Sequence, residues 1–243
     1  CLVFIDNKWP LMNPYDMGFI IVTYFAFILK IGPMLMEKRQ PLQLNKFLIL
    51  YNMVKVINSS ILAFKVNLII NSVSLLENLS VLYWKYMATK ILDLVDTLVF
   101  VVRKKNDQIT FLHVYHHVFM VLVTWCSLKY DPTDHWAFMA IVNCVIHVIM
   151  YTYYGISALG PRYRRYLWWK KYLTIMQLLQ FVFIFTHVVI QTYTSQCPMS
   201  SITYWVGIFN LSLFICLFTD FYNKRYRAKL KDTSFACTRQ VVD

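Results

Sequence analysis

Three of the six histidines of this 243-residue chain, His113, His116 and His117, lie within five positions of one another. On an α-helix these positions share one face, because residues three and four apart stand above one another. A neutral imidazole is a nucleophile, a base or a metal ligand, and its reference pKa of about 6.5 keeps that form available near neutral pH. The cluster stands where a basic loop runs into an apolar helix. We therefore predict that the chemistry of this chain is located here.

Further ionisable and amide side chains recur at helical spacing in neighbouring apolar segments. A central charge in lipid costs on the order of 2.5–3.5 kcal/mol, so such groups are expected to face an interior cavity. Three stripes result, formed by Lys90, Asp93, Asp96 and Thr97, by Asn143, His147, Tyr151 and Tyr154, and by Gln177, Gln180 and His187. Two simpler interpretations stay open: His187 alone is typical of an interhelical hydrogen-bonding residue, and Lys90 with Asp93 of an ion pair that sets helix register.

The apolar segments that carry these stripes are as long as a bilayer is thick. The chain is 58% hydrophobic, has a mean hydropathy of +0.49 and contains only five glycines, which excludes an ordinary soluble domain. A hydrocarbon core of about 30 Å needs roughly 20 helical residues. This rule predicts an all-α integral membrane protein with seven spans that enclose a narrow substrate tunnel. The predicted spans are 17–36, 47–70, 81–102, 113–129, 136–158, 170–191 and 202–222.

Basic residues test this topology, because short cytosolic loops carry an excess of Lys and Arg. They follow spans one, three, five and seven: Lys38, Arg39, Lys46; Arg103, Lys104, Lys105; Arg162, Arg164, Arg165, Lys170, Lys171; and the stretch 224–231. The pattern predicts an amino terminus outside or in a lumen and a carboxyl terminus in the cytosol. It also accounts for most of the net charge of +12, so no nucleic-acid partner is needed.

Residues 1–243 are predicted to form a single multi-pass domain, because no linker, repeat or low-complexity tract interrupts the spans. The scattered cysteines indicate neither a disulfide framework nor a metal site. A chain that begins at Cys1 rather than at methionine is consistent with a truncated amino end.

Four motifs in this order resemble those of the very-long-chain fatty acid elongases, the 3-ketoacyl-CoA synthases of the endoplasmic reticulum membrane. They are K-I-L-D-L-V-D-T at 90–97, Q-I-T-F-L-H-V-Y-H-H at 108–117, N-C-V-I-H-V-I-M-Y-T-Y-Y at 143–154 and T-I-M-Q-L-L-Q at 174–180. The resemblance extends along most of the chain. One departure concerns Asp93, where the family usually has Glu, so that the carboxylate is kept but its reach is shorter by one methylene.

The resemblance implies condensation of a long-chain acyl-CoA with malonyl-CoA to a 3-ketoacyl-CoA, with release of CO2 and CoA. It assigns the nucleophile to His116, which would form an acyl-imidazole, and places His147 of the facing helix at the same reacting centre. His113 and His117 would orient or deprotonate neighbours, and Asp93 or Asp96 would fix an imidazole tautomer or balance Lys90. Four residues are candidate donors to the developing oxyanion, and sequence alone does not choose among them: Asn143, Tyr151, Gln177 and Gln180.

The implied substrates predict where the remaining residues act. The acyl tail needs a long apolar interior, and Tyr154, on the same stripe as Asn143 and Tyr151, is a further candidate substrate-binding residue. The CoA phosphates are expected at the cytosolic mouth, near Arg103, Lys104, Lys105, Arg165 and Lys171. No cofactor beyond the two CoA substrates is expected. The resemblance also implies residence in the endoplasmic reticulum membrane, partnership with the reductases and dehydratase of the elongation cycle, and self-association.

Two other classes of protein share some of these features. Membrane desaturases and hydroxylases hold di-iron in histidine boxes, but they typically need about eight imidazoles and this chain has six. A seven-helix receptor or transporter would explain the span count but gives no reason for three histidines beside a basic loop. We expect metal analysis to separate the first alternative and turnover of malonyl-CoA to separate the second.

Overall fold

The computed structural model describes residues 9–70, 76–130, 135–194 and 200–227. Within those ranges the regular structure is entirely helical, as predicted. The helices are α1 (Pro14–Ala26), α2 (Gly32–Met36), α3 (Asn45–Ile70), α4 (Leu76–Val102), α5 (Phe111–Tyr130), α6 (His135–Ala158), α7 (Lys170–Thr194) and α8 (Ser201–Tyr222). A π-helical turn at Phe27–Ile31 joins α1 to α2, another at Asn223–Arg227 follows α8, and 3₁₀ turns cover Asn106–Gln108 and Pro161–Tyr166.

Six segments of the described chain are long and apolar enough to cross a membrane, which makes this a multi-pass membrane protein. They are Pro14–Met36, Asn45–Leu68, Phe111–Tyr130, Trp136–Ala158, Lys170–Thr194 and Ser201–Tyr226. The count is one fewer than the seven predicted. The predicted third span exists as α4, whose 27 residues extend about 40 Å, but its five charged residues make it too polar to qualify by composition. The predicted cytosolic carboxyl terminus lies after residue 227, outside the described residues.

Helices α3 and α6 form the most extensive helix pair of the bundle. The buried residues of α3 are Asn52, Lys55, Ser59, Leu62 and Val66, and those of α6 include Ala137, Ala140, Cys144, His147 and Tyr151. Both sets repeat alternately every three and four residues, the spacing that lets two long helices interlock along one seam. The small side chains allow the two backbones to approach closely. At this seam Tyr151 of the α6 stripe contacts α3, with its ring 6.1 Å from that of Tyr51 and 5.2 Å from Lys55 Nζ.

Helix α1 is held against α4 and α5 at both of its ends. Ahead of α1, the backbone carbonyls of Pro10, Leu11 and Met12 accept hydrogen bonds from Trp84, Trp125 and Lys129 at 2.8–2.9 Å. At the other end Gly32 lies so close to α4 that a Cβ atom there would be 2.6 Å from Val101 Cγ1. These contacts fix the first span in register with the charged helix.

Candidate active site

The centre of the candidate site is Asp93 on α4, a carboxylate with a side chain only 4% exposed. It forms an ion pair with Lys55 of α3, and its Oδ2 atom lies 3.6 Å from Lys90 Nζ and 3.8 Å from His147 Nδ1. Its Oδ1 atom accepts a hydrogen bond from the Tyr151 hydroxyl at 2.9 Å. Buried carboxylates persist where neighbouring cations and donors replace water. Asp93 therefore joins α3, α4 and α6 in one polar network.

Asp96 and Asn143 extend this network in two directions. The Tyr151 hydroxyl also lies 2.7 Å from Asp96 Oδ2, so the phenol bridges the two carboxylates of α4. On the other side Lys90 donates a short hydrogen bond to Asn143 Oδ1, which also accepts one from the Tyr86 hydroxyl at 3.0 Å. Lys55, Lys90, Asp93 and Asp96 carry formal charges that sum to zero. The arrangement is thus balanced in charge and hydrogen-bonded throughout.

Lys55 is a residue that the sequence analysis missed. Its side chain is 2% exposed, its ammonium donates to the carbonyl oxygen of Thr89 at 3.1 Å and it stands 5.2 Å from the centre of the Tyr151 ring. The signal that would have found it was present, because a lysine in the middle of an apolar span falls under the same energetic argument as Lys90. Asp93, one methylene shorter than the glutamate usual in the family that the motifs resemble, has two lysine partners, Lys55 and Lys90.

The three clustered histidines occupy the first two turns of α5 and are half-buried. His113 contacts Thr97 of α4, with 2.9 Å between Nε2 and the threonine hydroxyl, and its ring centre is 4.3 Å from that of His117. His117 in turn meets His116 edge-on at 5.6 Å. The predicted shared face is confirmed, because the three rings form one continuous row.

His116 stands at the apolar end of this row. Its ring meets Phe181 of α7 and Phe214 of α8 edge-on, with centre-to-centre distances of 6.1 and 5.2 Å. His147 lies on α6, where its ring is 5.6 Å from that of Tyr151 and its Nδ1 atom is 3.8 Å from Asp93. The predicted contact of His116 and His147 with one reacting centre stays a prediction. Phe181 and Phe214 were missed by the sequence analysis, since a phenylalanine in an apolar span carries no signal of its own.

An apolar cavity of about 90 Å³ opens beside this end of the histidine row, between α5, α6, α7 and α8. Its polar lining residues are Asn143, Tyr86, the predicted Gln180, Thr124 and Thr203. The remaining wall is apolar and includes Phe119, Trp136, Met139, Phe181, Ile184, Val188, Gly207, Leu211 and Phe214. An apolar cavity with a few polar groups suits a largely apolar ligand that carries a polar group.

Two of the predicted stripe residues lie at the margin of the site. Gln177 is half-buried, and its amide nitrogen lies 3.4 Å from the sulfur of Met150. Tyr154 is 40% exposed and contacts the Tyr151 ring at 6.2 Å. His187 stacks on Phe138 of α6 at 4.1 Å, and its interpretation as an interhelical hydrogen-bonding residue stays a prediction.

The predicted basic residues fall into two separate groups. Arg103 and Lys105 line a second pocket, of about 420 Å³, together with Gln40, Pro41, Leu42, Gln43 and Asn45. Lys104 stands between Arg103 and Lys105 in the sequence, and its ammonium donates a hydrogen bond to the carbonyl oxygen of Glu37 at 3.3 Å. Arg165 and Lys171 instead contact the rings of Tyr166 and Tyr222. Only the first group therefore forms a concave basic site.

The described residues contain no group of three or more His, Cys, Asp or Glu side chains arranged to hold a metal ion. The histidines contact one another through their ring faces and edges and contact Thr97 and Asp93 through nitrogen. His113 Nε2 and His147 Nδ1 thus face a hydroxyl and a carboxylate, groups that can take part in acid–base chemistry with an imidazole.

Comparisons with known proteins agree with the motifs. Residues 9–234 match the model of the GNS1/SUR4 (ELO) family. The chain is 36% identical to the very long chain fatty acid elongase 1 of Mus musculus over 238 residues, which cover 90% of this chain and 85% of the mouse protein. It is 36% identical to elongase 7 of Drosophila melanogaster over 91% of this chain and 74% of that protein. It is also 36% identical to elongase 4 of Homo sapiens over 93% of this chain and 76% of the human protein.

Proposed function

Since the chain belongs to the GNS1/SUR4 (ELO) family, we propose that it is a very-long-chain 3-oxoacyl-CoA synthase, an acyltransferase that elongates fatty acids by two carbons. It would condense a long-chain acyl-CoA with malonyl-CoA. One observation carries this proposal: the histidine row of α5 runs from Thr97, one helical turn after the buried Asp93, to Phe181 and Phe214, which line an apolar cavity. The carbonyl carbon of a long-chain thioester must lie close to polar catalytic groups, and the tail attached to it must lie in an apolar environment.

In the first step His116 attacks the thioester carbonyl of the acyl-CoA. The acyl–sulfur bond breaks, an acyl-imidazole forms, and the imidazole proton goes to the CoA thiolate. His116 is favoured because its ring contacts Phe181 and Phe214, two residues that line the apolar cavity in which the tail would lie. Covalent catalysis of this kind divides a difficult condensation into two easier steps.

In the second step malonyl-CoA loses CO2, and the resulting enolate attacks the acyl-imidazole carbonyl. The bond between carbon and nitrogen breaks, 3-ketoacyl-CoA is released, and the imidazole recovers its proton from water. Positive charge and fixed donors stabilise the enolate and the tetrahedral oxyanion. Lys90, Asn143 and Tyr151 would supply them, since all three are held in place by Asp93 or its partners. His147 would contact the same centre, with Gln180 at the head of the cavity.

We extend the proposal to the whole path of the substrate. In this proposal α4 also crosses the membrane, as a seventh span shielded by its neighbours, and the cavity is one section of a narrow tunnel for the acyl tail. The cavity is smaller than the roughly 300–1,000 Å³ of a typical ligand pocket, so it would hold part of a long chain. The CoA phosphates would bind at the pocket of Arg103 and Lys105, which lies at the end of α4.

The setting of the enzyme follows from its reaction. We propose that it resides in the endoplasmic reticulum membrane with its carboxyl terminus in the cytosol, where malonyl-CoA is supplied. The 3-ketoacyl-CoA product must then be reduced, dehydrated and reduced again, so the partners would be the enzymes of those steps. We also propose that the protein associates with itself and that it needs no cofactor besides its two CoA substrates.

Turnover with labelled malonyl-CoA tests this function. Purified protein with a long-chain acyl-CoA should release one labelled CO2 from carboxyl-labelled malonyl-CoA for each 3-ketoacyl-CoA that forms. A His187→Gln variant serves as a control, because that histidine lies outside the histidine row. Absence of product across a series of acyl chain lengths would contradict the proposal. If that result came with stoichiometric bound iron and oxygen consumption, it would instead support a histidine-box oxygenase.

A further inference from the structure

The first span contributes one buried polar side chain to the histidine row. The Tyr24 hydroxyl of α1 donates to Thr97 Oγ1 at 2.9 Å, and the same threonine oxygen lies 2.9 Å from His113 Nε2. Tyr24 is 4% exposed and Thr97 is fully buried. We propose that Tyr24 is a positioning residue that sets the tautomer of His113 through Thr97. The sequence analysis did not single out Tyr24, because none of its polar stripes lies on the first span.

Hydrogen-bond accounting gives the direction of this relay. A phenol carries one hydrogen, and Tyr24 gives it to Thr97. A hydroxyl accepts such a bond and still has a hydrogen of its own to donate, and the oxygen of Thr97 has His113 Nε2 in reach. In the proposed relay Thr97 donates its own hydrogen to Nε2, so that Nε2 accepts and the single proton of the neutral His113 ring lies on Nδ1.

Without Tyr24 the threonine has another partner available. A helical threonine commonly donates to the carbonyl oxygen four residues earlier, which for Thr97 is that of Asp93. The bond from Tyr24 occupies a lone pair of the hydroxyl and favours the rotamer in which its hydrogen points across to α5. Removal of the phenol oxygen would release Thr97 toward its own helix and free the His113 ring.

The anchoring of α1 makes Tyr24 a rigid donor. The segment before α1 is bonded to Trp84, Trp125 and Lys129, and the helix beyond it packs through Gly32 on α4. Tyr24 lies between these two attachments. A donor held in this way directs the threonine without a large loss of side-chain entropy.

This tautomer assigns different roles to neighbouring histidines, an assignment that rests on the proposed function. His113 has its Nε2 lone pair occupied by Thr97, and its ring packs between Phe100 at 5.2 Å and His117 at 4.3 Å. It therefore orients His117, which contacts His116. His116 is left as the ring with access to the acyl chain.

The test combines a tautomer measurement with a double-mutant cycle. Protein labelled with ¹⁵N only at histidine is examined by NMR, and the signals of His113 are assigned with a His113→Gln variant. Wild type should show His113 protonated at Nδ1, and Tyr24→Phe should shift the ring toward Nε2 protonation. Tyr153→Phe is the matched control, because that tyrosine is also buried but packs on Trp169.

The kinetic arm compares Tyr24→Phe, Thr97→Val and the double variant. Loss of one such hydrogen bond should lower kcat about tenfold at unchanged KM. The double variant should be no slower than Thr97→Val alone, since the two residues act in series. Thr97→Ser keeps the hydroxyl and should retain the wild-type rate.

Three results would overturn the proposal: wild-type His113 protonated at Nε2, additive losses in the double variant, or an equal loss in Tyr153→Phe. Failure of the proposed function gives a different pattern. In that case wild type makes no 3-ketoacyl-CoA, while the NMR comparison still decides whether Tyr24 sets the tautomer.

Discussion

The polar network of α3, α4 and α6 and the apolar cavity of α5 to α8 meet at Asn143, and they are built in opposite ways. In the network each charged group has a partner on another helix. Asp93 has four partners, namely Lys55, Lys90, His147 and Tyr151. In the cavity, space is left open beside Gly207. If the proposed function is right, the difference makes chemistry and substrate choice separable, because each would depend on a different region. Changes in the network should alter stability and rate, whereas changes in the cavity should alter the accepted chain length.

The largest effect is expected from Asp93→Asn. The substitution leaves two buried lysines without their shared carboxylate, and breaking a buried ion pair in this way costs about 3–5 kcal/mol. The thermal midpoint in detergent should fall steeply and turnover should be lost. Asp220→Asn is the control, because its carboxylate pairs with Lys224 at the surface at 2.8 Å and should change stability by less than about 1 kcal/mol. Equal shifts for both variants would show that the network is not a charged unit.

A second variant sharpens the role of charge balance. Lys55→Met alone should cost about 2 kcal/mol, less than Asp93→Asn, since Lys90 still lies 3.6 Å from the carboxylate. The double variant Lys55→Met with Asp93→Asn removes a cation together with its anion, so it should be more stable than Asp93→Asn. Thermal unfolding of the four proteins measures this coupling. Strictly additive losses would contradict the account of one balanced cluster.

Much of the scaffold was predictable from sequence, because it depends on local hydropathy. Each predicted span lies on helical structure. The predicted third span, 81–102, begins five residues after the start of α4 and ends at the last residue of α4. The row of His113, His116 and His117 followed from helical spacing alone. The span count differed because α4 carries five charged residues, whereas the six apolar segments carry fewer charges.

What sequence could not provide are the partners between helices. Lys55 and Tyr24 act on α4 and α5 from segments more than 30 residues away, so no local pattern ties them to Asp93 or Thr97. The cavity likewise depends on the absence of a side chain at Gly207 and on the position of Trp136, which also lines the cavity. Such features become visible only when the helices are packed.

Substitution in the cavity should change substrate choice and leave the network intact. Gly207 lines the cavity, and a Cβ atom there would meet no heavy atom within 4 Å. Gly207→Leu would fill part of the space and lower kcat/KM for the longest accepted acyl-CoA by about 10–100-fold, with shorter substrates retained. Gly18→Leu is the matched control, since Gly18 also has open space but lies exposed on α1. An unchanged chain-length profile in Gly207→Leu would break the division between the two regions.

The smallest effect is expected when alanine replaces two glycines, the closely packed Gly32 and Gly207, which has open space around it. At Gly32 a Cβ atom would lie 2.6 Å from Val101 Cγ1 and 2.9 Å from the Phe27 carbonyl oxygen. Gly32→Ala should therefore destabilise by about 1–2 kcal/mol, although alanine is the better helix former. Gly207→Ala should instead stabilise by about 0.5 kcal/mol. Thermal midpoints of the two variants should move in opposite directions, and movement in the same direction would argue against the difference in packing.

The central claim is that His116 carries the acyl group. Intact-protein mass spectrometry after incubation with a long-chain acyl-CoA and no malonyl-CoA tests it most directly, with wild type, His116→Ala and His187→Gln compared. We predict an acyl adduct on wild type and on His187→Gln that maps to His116, disappears on addition of malonyl-CoA and is absent from His116→Ala. An adduct of equal yield on His116→Ala, or no adduct on wild type that turns over malonyl-CoA, would contradict the account.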